Sequence, residues 1–165
     1  MLRTQLFALL LLFSTGLSAQ EFSVPKNIKL ETKEDYIAQQ DQVVAAVNWL
    51  QNTPVSQQAA KRKAVNAYLL QWLTGTPTVT LSLDGSIATF MECGDCLMMY
   101  MGTYAKSSIE NGKADELANQ LAAVRAVMDL YTKNKAALGK NQGVEKYLKL
   151  AKKGKLESTL AKSVQ

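Results

Sequence analysis

The chain has 165 residues, 47% of them apolar and 20% charged, with three prolines and a formal charge of +5. That length and composition describe one globular domain able to bury a core, and exclude a disordered or collagen-like chain. Histidine is absent, which excludes histidine-based triads, histidine metal sites and an imidazole pH switch.

Met1-Leu2-Arg3 opens with one positive charge, and the apolar run Leu6 to Phe13 leads to Leu17-Ser18-Ala19. A basic start, a short apolar stretch and a small residue at the cut predict a secretory signal peptide over residues 1–19. The run is far too short for a bilayer core of roughly 30 Å. Cleavage near Ala19 would leave a soluble mature chain starting at Gln20, with no transmembrane segment, in the periplasm or outside the cell.

Residues 20–31 alternate Phe22, Val24, Ile28 and Leu30 around Pro25, which predicts an extended N-terminal arm. From Thr32 the period becomes helical. Tyr36, Val43, Val47 and Leu50 share one face, Thr32 is a candidate cap, and Glu34 and Asp35 suit the first turn. Asn52-Thr53-Pro54 ends that helix. A second helix restarts at Ser56 with Val65, Leu69, Trp72 and Leu73 inward and Lys61-Arg62-Lys63 in solvent, and closes at Thr74-Gly75-Thr76-Pro77. Thr78–Leu83 alternates strictly and predicts a short strand at the edge of the domain.

Residues 87–111 place Ile87, Phe90, Met91, Leu97, Met98, Met101 and Ala105 on one stripe, flanked by Tyr100 and Tyr104. This predicts a buried central helix, broken at Gly94 with Asp95 capping its second piece. Leu117, Leu121, Val124, Met128 and Tyr131 predict a long helix closing at Leu138-Gly139. Val144, Tyr147, Leu148 and Ala151 predict another, interrupted at Gly154 before Leu156 and Leu160. The expected fold is all-α, an antiparallel bundle of five or six helices forming a single domain over residues 32–165.

The only cysteines, Cys93 and Cys96, form a C-x-x-C pair. A thioredoxin-like redox pair needs a strand-to-helix junction in a βαβ sheet, and no such alternation is present. A soft-metal site for Cu(I) would use Cys93, Cys96 and the neighbouring thioether of Met98. Met91-Glu92-Cys93-Gly94-Asp95-Cys96 resembles the metal loop of heavy-metal-associated domains, although the following helices do not fit that βαββαβ fold. A structural disulfide between Cys93 and Cys96 suits an exported protein, and is the reading carried forward. Asp84, Glu92 and Asp95 could offer a carboxylate pair for glycoside hydrolysis, but acids beside a turn and a helix start are ordinary caps. Lys106-Ser107-Ser108 makes a poor Ser–Lys dyad, because adjacent helical residues do not face one another. No catalytic residue, cofactor or resident metal is expected.

Charge is uneven: residues 133–165 hold nine lysines against Glu145 and Glu157. This basic region, Lys133–Lys162, would suit an anionic surface, but a solvated lysine face is the simpler account of it. Without interleaved arginine and aromatic residues, nucleic acid is not an expected partner. The segments Lys133-Asn134-Lys135, Leu138-Gly139-Lys140, Val144–Leu150 and Lys153–Glu157 resemble small exported helical proteins of Bacteroidetes-type bacteria. The resemblance spans about residues 97–160, carries no enzymatic motif, and implies export and a helical fold. The expected function is non-enzymatic binding of an unidentified protein or small ligand, with thiol redox or Cu(I) handling through Cys93 and Cys96 as the alternative. N-terminal sequencing of the native protein is expected to begin at Gln20; an intact Met1 would remove both export and the oxidising compartment that favours a disulfide.

Overall fold

Thr32 caps the first helix as its position predicts. Its hydroxyl accepts the Asp35 N–H at 3.2 Å, and the Asp35 carboxylate accepts the Thr32 N–H at 3.0 Å and the Glu31 N–H at 3.0 Å. This reciprocal box satisfies N–H groups that a helix start otherwise leaves orphaned. The two backbone N–H bonds hold the Asp35 carboxyl below its usual range.

The computed structural model describes residues 22–81, 89–111 and 115–162. Within them are seven helices: α1 Lys33–Ala38, α2 Gln40–Asn52, α3 Ala59–Gly75, α4 Gly94–Glu110, α5 Glu116–Leu138, α6 Gln142–Lys152 and α7 Leu156–Leu160. The fold is all-helical over these residues, and none of them is in a strand. The proposed signal segment, residues 1–19, lies outside the described residues.

The helix expected from Thr32 to Asn52 is two helices, broken at Gln39. At the break the Tyr36 carbonyl accepts the Trp72 indole N–H at 3.0 Å. The Gln39 side chain accepts the Tyr68 hydroxyl at 3.2 Å. Both donors lie on α3, so α3 pins the break. Burial holds the Tyr68 hydroxyl proton, pushing its pKa up to about 12. Gly75 completes the fit, since a Cβ there would lie 1.8 Å from the Tyr36 hydroxyl.

α3 starts at Ala59 instead of Ser56, after Gln58 in a left-handed conformation at φ 50°. Val65, Leu69 and Trp72 are fully buried on its inner face, as expected. Phe22 from the N-terminal arm is buried and meets the Tyr68 ring at 6.4 Å between centroids. The expected strand is not formed across 78–81. The segment is held by side chains instead, with Gln40 donating to the Thr78 hydroxyl at 3.2 Å. Val79 still turns inward and is buried, so the alternation marks an inner face without a partner strand to pair with. Residues 82 and 83 lie outside the described residues, as do Asp84 and Ile87.

α4 is the central helix, contacting α2, α3 and α5, with its most extensive contact against α5. Gly102 permits the close crossing of α2, where a Cβ would meet Val47 at 3.0 Å. Of the expected stripe, Phe90 and Ala105 are fully buried, but the buried face is shifted along the rest of the helix. Cys96, Met99, Tyr100, Thr103, Tyr104 and Ser107 are buried, whereas Leu97, Met98 and Met101 are only partly so. Residues 89–92 form turns, not helix, which leaves Met91 67% exposed while Phe90 is fully buried. Phe90 lies between Tyr100 and Tyr147, at 5.5 and 5.6 Å between ring centroids.

On α5 the expected Val124 and Tyr131 are buried, joined by Asn119, Gln120 and Val127, while Leu117, Leu121 and Met128 are only partly covered. The helix bends at Asn134, whose side chain accepts the Val55 N–H at 2.9 Å and donates to the Leu130 carbonyl at 2.8 Å. Gly139 at φ 70° ends it, where the sequence places the stop. Glu145 on α6 accepts the Tyr131 hydroxyl at 3.1 Å and Lys135 at 3.0 Å, closing the turn between α5 and α6. Lys135 and Tyr131 hold the Glu145 carboxyl below its usual range. Gly154 separates α6 from α7, which buries Leu156 and Leu160.

Trp72 combines full burial with the bond at the break between α1 and α2. Trp72→Ala is expected to lose about 3–5 kcal/mol of stability in chemical denaturation, and Trp72→Phe distinctly less, because most of the ring volume stays. Equal losses for the two would assign the effect to the indole N–H alone.

Candidate functional site

The C-x-x-C pair sits where the turn over residues 89–92 enters α4. Cys93, not Asp95, is the N-cap, and its sulfur accepts the Cys96 N–H at 3.2 Å. Asp95 stands in the first turn instead. The two sulfurs are 2.03 Å apart, a disulfide-bonding separation, with the Cα atoms at 5.1 Å. Cys96 is fully buried and Cys93 is partly exposed. Closing so short a loop adds only about 2 kcal/mol on the chain-entropy account.

The Cu(I) set of Cys93, Cys96 and Met98 is not gathered at one point. Met98 lies two residues beyond Cys96 on the same helix, and such positions face different sides. Bonded sulfurs also have no thiolate to offer a soft metal. Among the described residues, no three cysteine, aspartate or glutamate groups cluster as a metal site. Of the suggested carboxylates, Glu92 is exposed and Asp95 is engaged by an arginine. Lys106 turns to the Asn48 side chain at 2.6 Å, while Ser107 accepts from Asn111 at 3.1 Å, so no dyad is assembled.

That arginine is Arg62, which the sequence places in solvent with Lys61 and Lys63. Only 6% of it is exposed. One guanidinium nitrogen lies 3.5 Å from the Asp95 carboxylate, another donates to the Thr53 carbonyl, and the group sits 5.8 Å from the Trp49 ring centre. Burial lowers the Arg62 pKa from its usual value, and the Asp95 charge opposes that fall. The signal for it was present: the α3 stripe of Val65, Leu69 and Trp72 extends back by helical spacing to position 62. Arg62 therefore fastens the end of α2 and the first turn of α4 to α3. The amides Asn119 and Gln120 are likewise buried, polar residues on an inward helical face.

A second feature is a cleft of about 280 Å³ in the seam of α2, α4 and α5. Met99, Ala126 and Leu130 give it apolar walls, and Gln51, Asn52, Asp129 and Lys133 supply polar groups. Asp129 and Lys133 form a 2.6 Å ion pair, and each is more than half exposed. Gln51 is fixed by donating to the Thr103 hydroxyl at 3.2 Å. In the basic region, Lys133 and Lys135 are paired at the surface with Asp129 and Glu145. The lysines of α6 and α7's flanks, such as Lys146, Lys149 and Lys152, are exposed. No helix among the described residues is long and apolar enough to cross a membrane. No protein-family model, curated protein or solved structure is significantly similar to this chain.

Removing the guanidinium strands the Thr53 carbonyl and leaves Asp95 without its counter-charge. Arg62→Met is expected to cost about 3 kcal/mol in urea unfolding. A loss below about 0.5 kcal/mol, the level of an ordinary surface substitution, would show that α2, α3 and α4 hold together without it.

Proposed function

We propose that this chain is an exported helical protein, an antiparallel bundle in architecture, that binds a small polar ligand without transforming it. The cleft between α2, α4 and α5 carries this reading. Its volume of about 280 Å³ lies just below the range of drug-sized sites and suits a molecule as small as an amino acid or short peptide fragment. Side-chain amides from Gln51 and Asn52, and one charge of each sign from Asp129 and Lys133, match a zwitterionic or amide-bearing ligand. Export is supported by the signal-like residues 1–19 and by the cysteine pair at bonding distance.

The test is backbone amide chemical-shift mapping with glutamine and glycylglutamine added at millimolar concentration. Perturbations are expected at Gln51, Met99 and Leu130, and are expected to vanish in Ala126→Trp, whose indole fills the cleft. An absence of perturbation, or perturbation unaffected by Ala126→Trp, would remove the cleft as the seat of binding. Circular dichroism of that variant separates a blocked cleft from a damaged fold.

A further inference from the structure

We propose that the Cys93–Cys96 bond is a reactive site that accepts electrons from dithiol peptides, with Cys93 as the sulfur that is attacked. This inference goes beyond the cleft reading and does not depend on it. It starts from the unequal surroundings of the two sulfurs. Cys96 is fully buried in the core, whereas Cys93 is partly exposed at the start of the 17-residue helix α4. An incoming thiolate can therefore reach one sulfur of the bond and not the other.

The approach is open. A Cβ added to Gly94 would meet nothing within 4 Å, and Glu92 is exposed. Met91, two residues from Cys93, is 67% exposed. This flexible apolar side chain beside the reachable sulfur suits a peptide carrying an apolar residue near its cysteine. The electrostatics favour the same sulfur. Cys93 already accepts the Cys96 N–H at 3.2 Å, so when Cys93 is expelled as thiolate in the second step its charge meets a donor and the positive end of the helix. Asp95, in the first turn, has its charge offset by the buried Arg62 at 3.5 Å.

The exchange balances with a dithiol as the only co-reactant. A substrate thiolate attacks the Cys93 sulfur, the Cys93–Cys96 bond breaks, and the electron pair leaves on Cys96, which takes a proton. The substrate's second thiolate then attacks the substrate sulfur of the mixed disulfide and expels Cys93 as thiolate. The substrate gains a disulfide and loses two electrons, and the protein's pair becomes a dithiol.

Single-cysteine variants test this with the full chain. Cys96→Ala exposed to oxidised glutathione is expected to form a mixed disulfide on Cys93, seen by intact mass, at least about tenfold faster than Cys93→Ala forms one on Cys96. The wild-type oxidised protein is expected to convert a reduced two-cysteine peptide with a neighbouring leucine to its disulfide, one peptide per chain. Met91→Gln is expected to slow that peptide severalfold, and to slow a matching peptide with glycine in place of the leucine distinctly less. Equal or reversed reactivity of the two cysteines, or a bond that leaves the peptide reduced while circular dichroism shows a folded protein, would overturn the proposal. Each of these outcomes is independent of whether Ala126→Trp blocks the cleft.

Discussion

A guanidinium held almost wholly out of water is the constraint on which the arrangement of α2, α3 and α4 rests. Burying a cation is costly unless charge and hydrogen bonds compensate it. Arg62 meets that requirement with one partner on each neighbouring element: the Thr53 carbonyl past the end of α2, and the Asp95 carboxylate in the first turn of α4. Its remaining ring-side surface lies against Trp49. The compensation is incomplete, because the Nε of Arg62 has no hydrogen-bond partner among the described residues. Such a cluster specifies direction more than it adds stability. The observed placement of the α4 start brings Asp95 to the cation, with Cys93 partly exposed and Cys96 buried.

The cysteine pair and the cleft are both consequences of where α4 begins and how it faces α5. Cys96 and Met99 lie one turn apart on the buried side of α4. Cys96 closes the bond at the helix start, and Met99 forms part of the cleft wall. The bend at Asn134 limits the other end of that seam, since the same side chain binds the Val55 N–H beyond α2. A rotation of α4 about its axis would disturb both features together. Gly102 resists such a rotation by letting α2 approach closely at Val47.

Helix positions and helix ends were largely legible in the sequence, because they depend on local chemistry. The Thr32 box, the stop before Pro54, Gly75 at the end of α3 and the Gly139 stop all involve residues within a few positions of one another. What escaped the sequence was set by distant partners. The break at Gln39 lies beside the bond from Trp72, more than thirty residues away, and no proline or glycine announces it. The alternation at Thr78–Leu81 signalled an inward face correctly, but a ladder needs a second strand that the described residues do not supply. Arg62 was assigned to solvent because its two lysine neighbours are charged, although helical spacing puts it on the apolar side. The faces of α4 and α5 were each offset because Tyr100, Tyr104, Asn119 and Gln120 are buried while several methionines and leucines are only half covered. At the C-x-x-C pair, the sequence identified the residues and the bonding partner, but not that the cysteine itself caps the helix.

The contact between Gly75 and Tyr36 couples two positions thirty-nine residues apart into one unit of variation. The tyrosine hydroxyl occupies the volume that any side chain at position 75 would need. The backbone of the same tyrosine carries the carbonyl that accepts the Trp72 indole. A larger residue at 75 therefore requires either that the Tyr36 ring swing aside or that a smaller residue stand at 36. The backbone bond from Trp72 is indifferent to that exchange, since any residue at 36 still offers a carbonyl. Divergent copies of this chain can thus drift at 36 and 75 as a pair while position 72 stays fixed, and that pattern of paired and invariant sites would trace the α1–α3 junction through sequence change alone.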